Sequence, residues 1–275
     1  MRKILVVLVA VIVVGGLSRS CSECVASDDT GALLPTVREK YNRELYQATL
    51  ARDVASVGSL LEKGADPNAP VDGMIPLAIA CFLEQDDRSH KIMEMLLDAG
   101  ADPNQFCQSV LDYGAPCRVT PLMVLAQCSY GDNLKSAKML IERGADVNII
   151  NECDETPASI ALDMGSELAY YLIVGLNAKV PRAVKNSFHV SEGGVLDTVK
   201  PTLETVGTLL NQFYPLDSEE YRRKIAIVNK LEKQGIDYWA CKNPDSLKKY
   251  VNSVTLDNVK ARQNPPDWEQ YLKDY

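Results

Sequence analysis

One phrase is written three times in this chain, and its recurrence constrains the fold more than any other feature. The Gly-Ala-Asp copies begin 36 and 44 residues apart, and each is followed by a second shared phrase that contains a proline. Self-similarity at a fixed period of this size is the signature of units that stack on one another to bury a continuous core. The copies are "LLEKGADPN" (60–68), "LLDAGADPN" (96–104) and "LIERGADVN" (140–148), followed by "IPLAIA" (75–80), "TPLMVLA" (120–126) and "TPASIAL" (156–162).

The physical chemistry of the unit predicts a turn, a short helix, a loop and a second helix. A helix over 91–99 would end at Gly100, because glycine enters the left-handed region after a helix without strain. Thr120 and Pro121 suit the cap and the first turn of the next helix. Apolar residues at i, i+3 and i+4 spacing predict the buried side of the second helix: Ile92, Met95, Leu96 and Leu97.

These coordinated phrases resemble the ankyrin-repeat family, whose unit is a turn–helix–loop–helix of about thirty-three residues. The resemblance covers residues 41–180 and implies an all-α solenoid of about four repeats with projecting fingers, closed by a C-terminal helical cap. The first repeat lacks its opening turn, and the fourth decays, with Gly175 where the phrase should recur. The family's usual histidine after Thr-Pro-Leu is replaced here, so its hydrogen bonds must be replaced or absent; the substitutes are Ala78, Met123 and Ser159.

The predicted organisation has four parts. Residues 1–20 form a signal peptide or an N-terminal anchor, 21–40 a linker, 41–180 the repeats, and 181–275 a C-terminal helical region. In the last part Gly235 stands where Gly64 stood in the first copy. This similarity fits a degenerate fifth repeat. It also fits a plain helical cap, which an open-ended solenoid needs to cover its last repeat.

The amino-terminal segment predicts export. Arg2 and Lys3 precede an uncharged run from Ile4 to Leu17, fourteen residues long, whereas a membrane-spanning helix needs about 18–20. The pattern favours a cleaved signal peptide, with an uncleaved anchor as the alternative. The sequence has no N-x-S/T sequon, which favours the bacterial periplasm over a eukaryotic secretory route. Cys21 is a candidate for lipidation that Arg19 disfavours.

The charge balance bears on the class of partner. The net charge of −8 becomes −10 when Arg2 and Lys3 are removed. Binding nucleic acid depends on neutralising phosphates, so an acidic chain is a poor candidate for it. A basic protein partner would be attracted, and we expect membrane contact only through the N-terminal segment.

The enlarged middle finger, 105–119, carries the most specific expectation. It is about eight residues longer than its neighbours, and Cys107 and Cys117 bracket the excess. In an oxidising compartment we expect these two to pair, limiting the disorder of the loop by roughly 2–3 kcal/mol. Cys153 is the competing partner for Cys117. Two further cysteines, Cys81 and Cys128, are expected in the core.

We expect partner-binding residues on this finger and beside it, because exposed aromatic side chains on a crosslinked loop suit protein binding. The alternative is a tolerated insertion that folds back on its own repeat. The candidates are Phe106, Gln108, Leu111, Asp112 and Tyr113 on the long finger, with Asp72, Met74, Tyr130, Glu152 and Asp154 around it.

The sequence indicates no catalysis. Only two histidines occur, His90 and His189, and no Ser or Cys nucleophile has an evident base beside it. The sequence contains neither a phosphate-binding glycine loop nor a metal-ligand spacing, so we expect no enzyme activity, no metal and no cofactor.

The resemblance narrows the expected function to a non-catalytic scaffold for protein–protein contacts. Exported bacterial proteins of this kind include immunity proteins that neutralise antibacterial toxins, phospholipase effectors of type VI secretion among them. The alternatives are a periplasmic factor that protects or assembles a resident enzyme, for example in oxidative-stress defence, and a secreted effector that binds host proteins. The sequence leaves the oligomeric state open.

Overall fold

The computed structural model describes residues 35–108, 117–128, 133–164, 167–185, 199–201 and 218–236. The predicted signal segment, Cys21 and His189 therefore lie outside the described residues, as do four candidate binding residues, Leu111, Asp112, Tyr113 and Tyr130. Among the helices that are described, none combines the length and the apolar character needed to cross a membrane.

The fold is an array of helix pairs, as predicted. The first helix of each pair is α1 (Pro35–Leu50), α3 (Pro76–Phe82), α5 (Pro121–Gln127) or α7 (Pro157–Met164). The second helix is α2 (Val54–Glu62), α4 (Asp87–Asp98), α6 (Asn133–Glu142) or α8 (Glu167–Tyr170), the last continued by a π-helical turn (Tyr171–Gly175). A short antiparallel ladder follows, β1 (Ala183–Lys185) with β2 (Val199–Pro201), and then α9 (Glu219–Lys233). The sequence did not indicate the two strands.

The core is one column of first helices flanked by second helices. α3 packs between α1 and α5, and α5 packs against α7, while α2 contacts α4. Every residue from Pro76 to Cys81 is buried, and so is every residue from Pro121 to Ala126. These helices are buried on all sides because small residues such as Ala78 let neighbouring helices approach closely.

Each repeat ends in the same way because its sequence is the same. Gly100 takes a φ of +91°, and the Ala101 N–H donates to the Leu96 carbonyl at 2.9 Å, which closes the helix. The bond recurs from Ala65 to Leu60 at 3.0 Å and from Ala145 to Leu140 at 2.9 Å. The predicted helix ends are therefore confirmed.

The asparagine of the repeated phrase joins one repeat to the next. The Asn68 side chain donates to the Gly100 carbonyl at 2.9 Å and accepts from the Asp102 N–H at 2.7 Å. Asn104 makes the same two bonds to Gly144 and Asp146, at 2.9 and 2.7 Å. The sequence did not indicate this contact across the repeat boundary.

The fourth repeat keeps this geometry with a different residue. Gly175 was expected to mark the helix end, but Asn177 is the residue with positive φ, at +57°. The π-helical turn adds one residue, so that the Ala178 N–H donates to Leu172, six positions earlier rather than five. The Lys179 N–H then reaches Asn148 Oδ1 at 2.8 Å, as Asp102 reaches Asn68.

α9 continues the column of second helices. It packs against α8 and the π-helical turn, and it ends at Gly235 with a φ of +80°. The Ile236 N–H donates to Leu231 at 3.0 Å, which repeats the helix-end bond of the earlier units. The Gln234 side chain bonds the Val180 N–H and the Ala178 carbonyl, both at 2.9 Å, so it takes the joining role of the asparagines.

Candidate functional site: the finger surface

Three turn segments project between the helix pairs, and we call them finger A (65–75), finger B (101–120) and finger C (145–156). The two limbs of finger A pair at Val71 and Met74, and those of finger B pair at Cys107 and Val119. In finger C the Asn151 N–H donates to the Glu155 carbonyl at 3.1 Å. Together they form the finger surface.

The ascending limb of finger B is held by finger A. The Gln108 N–H donates to the Gly73 carbonyl at 2.9 Å, and the Gln105 side chain donates to the Asn68 carbonyl at 2.9 Å. Gly73 has a φ of +80°, and a Cβ there would lie 2.5 Å from Gln108 Cδ. Glycine is favoured here because this positive φ is strained for residues that carry a Cβ.

The descending limb of finger B is held by finger C. Cys117 forms a disulfide with Cys153 across a Cα–Cα distance of 5.7 Å, within the normal range for such bonds. Next to it, Arg118 donates from its backbone to Glu152 at 3.1 Å and from Nε at 2.7 Å. The two limbs of the long finger are therefore fastened to different neighbours.

The disulfide differs from the Cys107–Cys117 pair that the spacing favoured. Cys107 faces Val119 across the base of the finger, and its side chain is buried in the core with Sγ 3.5 Å from the Val119 carbonyl. Burial raises the pKa of the Cys107 thiol to about 11. Cys117 instead meets Cys153, the competing partner, because stacking brings fingers B and C together.

The two other described free thiols lie in the core, as predicted. Cys81 and Cys128 are both buried. Burial raises the pKa of Cys81 well above its usual value and that of Cys128 to about 11. Neither is a nucleophile near neutral pH, since the thiolate is the reactive form.

The described candidate binding residues divide into surface and core. Asp72, Gln108 and Glu152 are exposed, and Phe106 and Asp154 are half-buried on the fingers. Met74 is wrong as a contact residue: it is 4% exposed and packs with Tyr46, Val71 and Ile79. Its side chain packs inward because Tyr46, in α1 of the preceding helix pair, lies against it.

A row of apolar residues on the fingers was missed by the sequence reasoning. Pro70, Phe106 and Ile150 each stand two positions after the joining asparagine of their repeat. Ile150 is 58% exposed, the highest value among the large exposed apolar side chains described. Aligning the three fingers position by position would have exposed the pattern.

The net negative charge of the repeats is larger on the fingers than on the second helices. Fingers A, B and C contain eight Asp or Glu residues and one basic residue, Arg118. The segments that hold the second helices of the first three pairs, 53–64, 86–100 and 133–144, contain seven acidic and six basic residues. The finger surface is strongly acidic, while the opposite side is nearly balanced.

A groove between α1 and α2 is a poor candidate for a binding site. Most of the residues that line it are polar or charged, and they belong to α1 and α2 of the first helix pair or follow these helices directly. A polar outer face is what the terminal unit of a solenoid needs for solubility. Its lining includes Lys40, Arg43, Gln47, Ser56 and Lys63.

The described residues offer few side chains that could bind a metal ion or catalyse a reaction. No group of three or more His, Cys, Asp or Glu side chains within them could hold a metal ion. His90 is buried, and neither of its ring nitrogens has a hydrogen-bond partner. The Ser159 hydroxyl does part of the work of the missing family histidine, because it accepts from the Thr156 N–H at 2.9 Å.

Comparison with known proteins identifies the repeat. The ankyrin-repeat family model matches residues 72–107 and 118–152. The chain is 32% identical over 154 residues to the putative ankyrin repeat protein FPV222 of Fowlpox virus (strain NVSL), covering 47% of this chain and 20% of that protein. It is 31% identical over 142 residues to ankyrin repeat and SOCS box protein 16 of Homo sapiens, covering 51% of this chain and 28% of the human protein. The chain thus spans less than a third of either relative.

Proposed function

We propose that the finger surface of this chain binds a basic protein partner without catalysing a reaction on it. Residues 72–107 and 118–152 match the ankyrin-repeat family, whose repeats are scaffolds for protein–protein interaction. The observation that carries the proposal is the unequal charge, eight acidic residues against one basic residue on the fingers. Complementary charge steers association and selects the partner.

The bracing of finger B supports the same proposal. A loop that is fixed before binding loses less conformational entropy when the partner arrives. Finger B is fixed at Gly73 on one side and at Cys153 on the other. A tolerated insertion has no need of a crosslink to a neighbouring repeat.

We place the binding outside the cytoplasm, in a bacterial periplasm. The signal-like segment at 4–17 favours export, and disulfides persist in oxidising compartments. The partner we propose is a cognate antibacterial toxin that the chain neutralises, since an acidic, braced finger suits the basic cleft of an enzyme such as a phospholipase. A resident enzyme of the same compartment and a host protein are the alternatives.

The test is affinity capture with the oxidised full chain and with two variants, each of which replaces two carboxylates by neutral amides. The finger variant is Asp72→Asn with Asp154→Asn, since both residues have positive φ, which asparagine tolerates. The control is Glu62→Gln with Glu142→Gln, which removes two exposed charges from the second helices. We expect the partner captured by the native chain at physiological salt to be lost with the finger variant and retained with the control.

Equal capture by both variants would overturn the proposed surface. The identity of the captured protein then decides between the partners: a toxin encoded beside this chain, a resident periplasmic enzyme, or a host protein.

A further inference from the structure

The limbs of the three fingers alternate between buried positions and positions that are exposed or, at Phe106, half-buried against the core. Val71, Cys107 and Asn151 are buried. The residues directly before them form the apolar row: Pro70, Phe106 and Ile150. The alternation follows from extended backbone, in which successive side chains point to opposite sides. The row therefore lies on the outer side of the limbs.

Phe106 and Ile150 differ in what covers them. The Arg118 guanidinium lies 5.5 Å from the centre of the Phe106 ring, and Arg118 is itself bonded to Glu152. Ile150 is 58% exposed, although it lies only two and three residues before Glu152 and the crosslinked Cys153. An apolar side chain on a rigid base gains from burial against a partner without a cost of ordering.

Carboxylates flank the row on both sides. Asp102 and Asp146 stand at the helix-end turns, four residues before Phe106 and Ile150, and both are exposed. Glu152 and Asp154 stand toward the tip of finger C. Glu152 is paired with Arg118, the one basic residue in the sequence of the three fingers.

We propose that Ile150, with Phe106 and the Arg118–Glu152 pair beside it, is the apolar centre of an acidic docking surface whose occupant is a protein segment with an apolar side chain flanked by Lys or Arg. The proposal rests on the proposed function and specifies the partner's chemistry at that same surface. Charge complementarity selects this occupant, because the flanking carboxylates favour cationic side chains while Ile150 needs an apolar one. The same carboxylates disfavour nucleic acid and anionic lipid surfaces.

The test uses a random dodecapeptide library displayed on phage and selected on the oxidised full chain. Enriched peptides are then labelled, and their affinities for the native chain, for Ile150→Ser and for Leu50→Ser are measured by fluorescence anisotropy. Leu50 is the matched control, since it is a large apolar residue, 40% exposed, at the end of α1 and away from the fingers.

We expect the enriched peptides to place a Leu, Ile, Phe or Trp between Lys or Arg residues. Ile150→Ser should weaken their binding at least fivefold, and Leu50→Ser should leave it within twofold. The proposal would be overturned if the enriched peptides lacked basic residues, or if they bound Ile150→Ser and Leu50→Ser equally well. It would also be overturned if selection on the native chain enriched no peptides beyond those enriched on Ile150→Ser.

The peptide selection and the affinity capture distinguish a wrong docking centre from a wrong proposed function. If Ile150→Ser has no effect on the peptides while Asp72→Asn with Asp154→Asn still abolishes capture of the native partner, the acidic finger surface stands and the docking centre at Ile150 falls. If neither change affects binding, both are wrong.

Discussion

At the scale of single residues, the carboxylate of Asp86 holds the start of α4 both by hydrogen bonds and by its charge. Asp86 caps α4, accepting from the Arg88 and Ser89 backbone N–H groups at 3.1 and 3.0 Å. Its hydrogen bond with the Arg52 side chain is the largest cause that lowers its pKa to about 2. Asp86 thus links the first turn of α4 to the turn between α1 and α2.

The lowered pKa predicts a pH dependence with a definite sign. Because the folded pKa of Asp86 is below the unfolded value of 3.8, its charge stabilises the fold above pH 3.8, and this contribution is lost as pH falls toward about 2. Asp86→Asn keeps a capping side chain and removes the charge. We expect chemical denaturation to show a lower stability for Asp86→Asn at pH 7 and a smaller difference from the native chain near pH 2. A difference that stays constant with pH would contradict the assignment.

His90 supports a second prediction at this scale. A buried polar group without a hydrogen bond costs about 1–3 kcal/mol, so replacing it with an apolar side chain of similar size removes that cost. We expect His90→Leu to raise the free energy of unfolding at pH 7 by about 1 kcal/mol. The control is its neighbour Ser89→Ala, which should lower stability because the Ser89 hydroxyl donates to the Glu84 carbonyl at 2.7 Å. A loss of stability in His90→Leu would show that the ring has a partner.

At the scale of elements, the joined fingers are the main departure from a simple repeat array. The asparagine bonds tie each helix-end turn to the next one, while the disulfide ties fingers B and C at their outer parts. The sequence predicted that finger B is long and crosslinked. It did not decide the partner of Cys117, because Cys107 and Cys153 both lie within reach along the chain.

The disulfide pairing is testable by its effect on stability. The bond closes a separation of 36 residues, for which the chain-entropy model gives up to about 4 kcal/mol. Cys117→Ser with Cys153→Ser should lower the free energy of unfolding by an amount of this order, and the double variant should no longer respond to dithiothreitol. Cys107→Ser should retain the response of the native chain. If Cys107→Ser abolishes that response, Cys107 is the partner of Cys117 instead.

At the scale of the whole molecule, the helix pairs form a linear array in which each unit contacts its neighbours. The stability of such arrays is approximately a sum of unit and nearest-neighbour terms. α9 contacts only α8 and the π-helical turn strongly among the described elements, so it depends on the fourth repeat. Gln234 fastens this end through Val180 and Ala178.

This arrangement predicts local rather than global loosening. Leu231 of α9 is fully buried, and Leu231→Ala should cost about 2–5 kcal/mol. Hydrogen exchange should then show lost protection in α8 and α9, with α3 and α5 unchanged. Leu96→Ala in α4, also fully buried, is the control that should reduce protection in the central repeats. Uniform loss of protection in Leu231→Ala would contradict a linear array.

The sequence by itself determined the repeat, the helix pairs and their ends, because these depend on contacts within about ten residues: Gly100 after a helix, Thr120 and Pro121 before one. Tertiary structure alone decided that Cys117 pairs with Cys153, that Met74 turns inward and that Asn177 replaces Gly175 at the helix end. Each of these depends on a neighbour one repeat away, and the stacking of the repeats brings such neighbours together. The exposure of Ile150 depends on both the sequence and the tertiary structure. Its position recurs in the sequence of each repeat, but its surroundings arise only when fingers B and C are joined.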